Sequence, residues 1–188
     1  MSGFTAVFDA CVLYPAPLRD LLLSLAQTEL FRARWTDAIH DEWIRSVLKD
    51  RPELKEKLSR TRQLMDAAVP DCLITGHEPL IDALSLPDKD DRHVLAAAIV
   101  GRASVIVTYN LKDFPAAALQ SFGILAEHPD QFIGNLFDLA PAVVAAQVKQ
   151  IRARLTNPPR TVDDLFLAYL HAGLPEFVSD LETMRELL

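Results

Sequence analysis

Cysteine is nearly missing from this chain: Cys11 and Cys72 stand far apart and form no CxxC pair. A disulfide framework and an all-protein thiolate zinc site are thereby excluded, and both thiols are expected to be half-buried. Glycine is scarce, with 6 residues in 188, and there is no repeat or low-complexity stretch, so collagen-like and disordered classes drop out. No apolar run approaches the roughly 18 residues that a membrane helix needs. The opening MSGFTAVFDA has neither the basic segment nor the long apolar segment of a signal peptide. A soluble, cytoplasmic protein without a membrane partner is expected. Positive charge is also in deficit, 19 Lys and Arg against 26 Asp and Glu, for a formal net charge of −7. That field repels a polyanion and excludes a passive, sequence-blind nucleic-acid binder. It leaves open a binder that recruits divalent cations into an acidic pocket.

What is present is a chain with 50% hydrophobic residues, enough for one substantial core. FTAVFDACVL, residues 4–13, reads as a strand ending in an acid, and Pro15 and Pro17 lead into an apolar helix over 18–30. Residues 31–35 form a second strand candidate, and Thr36 is placed to cap a helix through Ile39, Trp43 and Val47. Residues 45–66 carry charges of both signs around Leu54, Leu58 and Met65, the pattern of a solvated helical hairpin. Cys72 to Ile74 is a third strand candidate. Pro87-Asp88 is expected to open the apolar helix VLAAAIVG, with Gly101 as its stop and the β-branched SVIVT as the next strand. A last strand at 123–126 completes an alternation that predicts a parallel sheet covered by helices. After His128-Pro129 only helical patterns remain: 141–155, a helix capped by Thr161 through His171, and a final helix after Gly173. The expected division is an α/β domain over 1–127 and a helical C-terminal extension over 128–188.

Polar residues just beyond the carboxyl ends of parallel strands are the first to question for chemistry. Asp9, Glu42, Asp91 and Asp113 occupy such places. Each has an ordinary explanation: Asp88 and Asp91 as cap and first-turn acid of a helix, Glu42 as a solvated residue beside Arg45, Asp113 as a turn acid. Asp9 resists it, since an acid ending an apolar strand is costly unless something pairs with it. Several carboxylates gathered at one sheet edge need cations to stay ionised, and hard oxygen ligands suit Mg²⁺ or Mn²⁺. Metal-assisted hydrolysis at phosphorus is the chemistry such a set allows.

FDACVL, the helix carrying Glu42, DKDDRHVLAAAIVGRASVIVT and NLKDF together resemble the PIN-domain ribonucleases of the VapC toxin type. The resemblance spans about the first two thirds of the chain. It implies a PIN-like three-layer sandwich with a parallel central sheet, a Mg²⁺ or Mn²⁺ site, and endonucleolytic cleavage of RNA to a 5′-phosphate and a 3′-hydroxyl. Asp9, Glu42 and Asp91 match the family's three metal-site acids. At the fourth position stands Asn110, a neutral ligand or water-positioning group, with Asp113 three residues on taken as the fourth acid. Asp88 and Thr108 are outer members, and Asn157-Pro158-Pro159 resembles the joint between helices in the extension of one branch of these proteins. The resemblance further implies a cognate antitoxin and a homodimer. His93 is expected to be a partly buried, hydrogen-bonded histidine, with His40 reaching Glu42 only indirectly, and Lys112, Arg92 and the basic residues of the hairpin are candidates to contact RNA phosphates.

Two other folds fit poorly: Cys11 stands where a haloacid-dehalogenase-like phosphatase needs a second Asp, and no GxGxxG follows the first strand for a dinucleotide. The rival of a different class is a catalytically inactive PIN-like fold acting as an RNA-binding or interaction module.

Overall fold

The structure is a computed structural model and describes residues 3–188. Four short strands, β1 (Thr5–Phe8), β2 (Arg32–Arg34), β3 (Val105–Val107) and β4 (Leu125–Glu127), form one sheet in the order β2-β1-β3-β4, parallel throughout. Ala6, Val7 and Phe8 of β1 and all of β3 are buried, which is why these strands read as continuous apolar runs and not as alternations. The expected α/β core with a parallel central sheet is therefore what the chain builds.

Ten α-helices accompany the strands among the described residues. In the first half these are α1 (Ala10–Leu13), α2 (Ala16–Ala26), α3 (Asp37–Asp50), α4 (Lys55–Ala68), α5 (Arg92–Val100) and α6 (Ala116–Leu119). The helical region that follows holds α7 (Pro129–Leu139), α8 (Pro141–Arg154), α9 (Val162–His171) and α10 (Pro175–Glu182). None is long and apolar enough to cross a membrane. Local chemistry sets several boundaries. Thr36 Oγ1 accepts the Ile39 amide at 3.1 Å to open α3. Thr161 and Asp164 exchange reciprocal bonds in a capping box on α9. In α5 every residue from Val94 to Ala98 is buried, as a helix apolar all round requires.

Two sequence expectations fail locally. Cys72 to Ile74 makes only one parallel bridge, Trp35 to Leu73, and not a strand. The chain leaves the sheet at the Thr36 cap, and Arg34 donates to the carbonyls of Asp71 and Leu73, so the ladder has nothing to extend along. Helix α5 begins at Arg92, not at Pro87-Asp88, because Asp88 Oδ1 accepts the Asp90 amide at 2.8 Å and folds residues 88–90 into a turn.

The C-terminal helices share the first half's core. Phe132 of α7 meets Phe4, Phe8 and Phe31 edge-on, with ring centroids 6.1, 6.3 and 5.1 Å away. Asp130, also on α7, accepts the amides of Glu176 and Phe177 at 3.0 and 2.9 Å, which fixes the start of α10. Phe132→Ala is expected to cost about 3–5 kcal/mol in a urea titration, the usual range for deleting a buried ring. A loss below about 1 kcal/mol would mean that α7 lies on this core without contributing to it.

Candidate active site

The strand order reverses between β1 and β3: the chain leaves β1 toward β2 on one side and returns to β3 on the other. Such a switch point leaves a crevice beyond the carboxyl ends of the two strands. Asp9 follows β1 directly and Thr108 follows β3. Asp9 is only 2% exposed, and its Oδ2 accepts from Thr108 Oγ1 at 2.7 Å and from Cys11 Sγ at 3.1 Å. It stands at the N-cap of α1 yet makes no side-chain capping bond, and its Oδ2 is committed to Thr108 across the crevice and to Cys11 two residues on. The loop after β3 is tied to the same point: Tyr109 N–H donates to Cys11 Sγ at 3.4 Å and Asn110 N–H to Thr108 Oγ1 at 3.0 Å. Asp113 ends the one-turn helix Leu111–Asp113, its amide donating to the Asn110 carbonyl at 2.9 Å.

Glu42, half-buried on α3, has its Oε2 3.3 Å from Nε2 of His93 on the first turn of α5. Asp91 immediately precedes α5 with φ −83° and ψ −7° and makes no side-chain capping bond. The capping explanation of Asp88 and Asp91 is therefore corrected: Asp88 serves the turn before the helix, and the Asp91 carboxylate serves no helix amide.

Residues 5–112 match the family model described as PIN domain. The chain belongs to the PIN-domain family. Behind this PIN domain, residues 129–183 match the model described as VapC50 C-terminal domain. A protein of Mycobacterium tuberculosis, "Putative ribonuclease VapC50", is 41% identical over 104 residues, covering 55% of this chain. The matched stretch spans 60% of that relative's length. No solved structure matches the chain.

Charge at the crevice of this PIN domain is crowded. The carboxyl of Asp91 is pushed up to about 7, first by partial burial and then by the negative fields of Asp9, Asp88, Asp113 and Glu42. Burial also pushes the Asp9 carboxyl up, against the hydrogen bonds from Thr108 and Cys11, and Glu42 adds to the rise. Asp91 thus stands in the field of Asp9, Glu42, Asp88 and Asp113, and Asp9 in that of Glu42. They do not close on one point: among the described residues no three His, Cys, Asp or Glu side chains are grouped so as to hold an ion. Asn110 is exposed and tethered to the site through its backbone amide.

Other polar residues of the PIN domain serve elsewhere. His40 Nε2 lies 2.9 Å from Asp66 Oδ1 and its Nδ1 accepts from Trp43 Nε1 at 3.0 Å, while Trp35 Nε1 also donates to Asp66. This buried network locks α3 to α4, and burial holds the His40 imidazole below its ordinary range. Arg62 pairs with Asp37 and Asp41, and Arg51 with Glu53, so part of the hairpin's basic charge is spent on its own acids. Arg92 lies 3.7 Å from Asp82.

The sequence reading passed over Cys11 and Tyr109. The thiol is a donor to the central carboxylate, and burial beside Asp9 pushes its own pKa well up, which keeps the proton on sulfur. Its one sequence signal is its position two residues after the strand-end acid.

Proposed function

We propose that this protein is a divalent-metal-dependent endoribonuclease, with Mg²⁺ or Mn²⁺ as cofactor, and the toxin of a toxin-antitoxin pair. The observation that carries the reading is the buried Asp9 carboxylate, held by Thr108 and Cys11 at the switch point of a PIN domain with other acids in its surroundings. Carboxylates on one crevice, with no cationic side chain bonded to Asp9 or Asp91 among the described residues, are a donor set that fits a hard cation. Asp9, Glu42, Asp91 and Asp113 are the residues that would hold it, with Asn110 as a neutral alternative to Asp113. The chemistry such an ion supplies, when bound, is a water of lowered pKa and neutralisation of charge at the phosphorus oxygens.

The chain's own residues would prepare that chemistry. Thr108 and Cys11 fix Asp9 by its Oδ2 edge, so the carboxylate needs no reorganisation when substrate arrives. His93 stands beside Glu42, with Nε2 3.3 Å from its Oε2. Asp113, on the turn after β3, would help to orient the attacking water for an in-line displacement that leaves a 5′-phosphate and a 3′-hydroxyl. Kinship with the VapC50 C-terminal domain supports an RNA substrate and a cognate antitoxin partner, and a homodimer is proposed with them from the resemblance of the PIN-domain motifs alone.

The second reading, an inactive RNA-binding or interaction module, draws on the lack of a ready ion cage among the described residues. One experiment separates the two. Purified protein free of any antitoxin is incubated with mixed RNA in Mg²⁺, Mn²⁺ or chelator, beside Asp9→Asn and Asp91→Asn. Cutting that needs the ion and vanishes in both variants supports the nuclease. Binding of RNA without ion-dependent cutting favours the module.

A further inference from the structure

The loop that carries Thr108 and Asn110 is held from two sides. Toward the crevice, Tyr109 N–H reaches Cys11 Sγ, which in turn donates to Asp9. Away from it, the Tyr109 hydroxyl donates to the carbonyl of Ala172 at 2.5 Å, across 63 residues of sequence. Ala172 is the C-cap of α9, and the last carbonyls of a helix have no partner within it, so the phenol satisfies an acceptor the helix leaves open. Gly173 follows with φ +76°, a left-handed turn natural for glycine, and lies against the Tyr109 ring, with Cε1 3.6 Å from where a Cβ would stand. The turn has a fixed place, because Asp130 holds the amides of Glu176 and Phe177 at the start of α10. The Tyr109 ring also packs edge-on against His128, whose Nδ1 accepts the Asp130 amide.

We propose that the C-terminal helices position the carboxylate cluster, and that Tyr109 is the positioning residue through which they do so. The α9–α10 turn is a rigid abutment: it fixes the phenol, the phenol fixes the loop after β3, and the loop aims Thr108 and Cys11 at Asp9. This gives the helical region a part in the chemistry, and it rests on the metal-site reading of the acids.

The test attacks the link from both ends. Tyr109→Phe removes the hydroxyl and keeps the ring, while Gly173→Ala disturbs the turn from the helical region. In metal-free protein, amide hydrogen exchange at Tyr109 and Asn110 is expected to quicken by ~3- to 10-fold in each variant, the scale of one lost neutral hydrogen bond, with β1 amides unchanged. The midpoint of a Mn²⁺ titration should move by a similar factor, and the double variant should go no further than either single one. A merely structural role would lower the melting temperature and leave the Mn²⁺ midpoint in place, and that result overturns the proposal, as does unchanged exchange. Additive effects of the two substitutions would also overturn it, since the ends would then act separately. Should Gly173→Ala fail to fold, Tyr109→Phe decides alone. Asp9→Asn is run beside them: if it binds Mn²⁺ like the parent, the metal-site reading has failed, and exchange still reports whether Tyr109 orders the loop.

Discussion

Asp9→Asn is expected to lower RNA cleavage at least ~100-fold, beyond the range for a group that merely supports a metal ligand, and to leave the melting temperature equal or higher. Both parts come from the same burial. At 2% exposure the carboxylate is taken from water, its pKa is raised by that desolvation, and Glu42 adds a like charge. An asparagine keeps the shape and an oxygen for Thr108 and Cys11, and it deletes the charge that is costly to bury. What it loses is the anionic charge that the proposed metal site requires at the centre of the crevice. Gel-resolved cleavage and a circular-dichroism melt check the pair of outcomes. Cleavage within about threefold of the parent, well short of a tenfold or 1.4 kcal/mol effect, would remove Asp9 from the chemistry. A melting point lower by more than about 3 °C, on the order of 1 kcal/mol for a chain of this size, would make its ionised form a structural partner.

In chelator, the protein is expected to lose stability as pH rises from about 4 to about 7, and Asp91→Asn should flatten that decline. The folded Asp91 carboxyl titrates at about 7 and the ordinary one at 3.8. Between those values the native state keeps a proton that the unfolded chain has released, so unfolding becomes easier with every step up in pH. The stabilisation is complete below the ordinary value and gone above the folded one. Asp9 is shifted in the same direction and adds to the slope. Mn²⁺ added above neutrality should restore the melting temperature, because an ion that binds only the folded cluster pulls the equilibrium toward it. Thermal melts across pH, with and without the substitution, measure this directly. Parallel curves for parent and variant would show that Asp91 is not the group under strain.

The strands were legible because β1 and β3, buried on both faces, cannot avoid being apolar throughout. Thr36 and Thr161 announced their helices because a cap is a local event, settled within three residues. Helix α7 was not foreseen: Gly134 and Asn135 weaken it as a pattern, and tertiary packing of Phe132, Ile133, Leu136 and Phe137 supplies what propensity does not. The start of α5 was misplaced because Asp88 had a competing bond to Asp90, a choice between two local structures that composition does not decide. At the crevice the acids stood out by position alone. Of the donors that hold Asp9, Thr108 was named only through the resemblance and Cys11 was missed, because the two become neighbours only after the sheet has closed over nearly a hundred residues. The hydroxyl of Tyr109 was hidden for the same reason, its acceptor lying in another helical turn.

The order of strands in the sheet also sets a clock for biosynthesis. β1 is made first, yet its neighbour β3 comes much later, and the Thr108 hydroxyl that donates to Asp9 arrives 99 residues after it. The Ala172 carbonyl comes later still. Contacts at such separation must wait for loop closure, which local helices do not. A ribosome-bound chain with Asp9, Glu42 and Asp91 already exposed carries the acids of the crevice but not the crevice, so translation through the α9–α10 turn fixes the earliest moment at which the cluster in its finished geometry can exist.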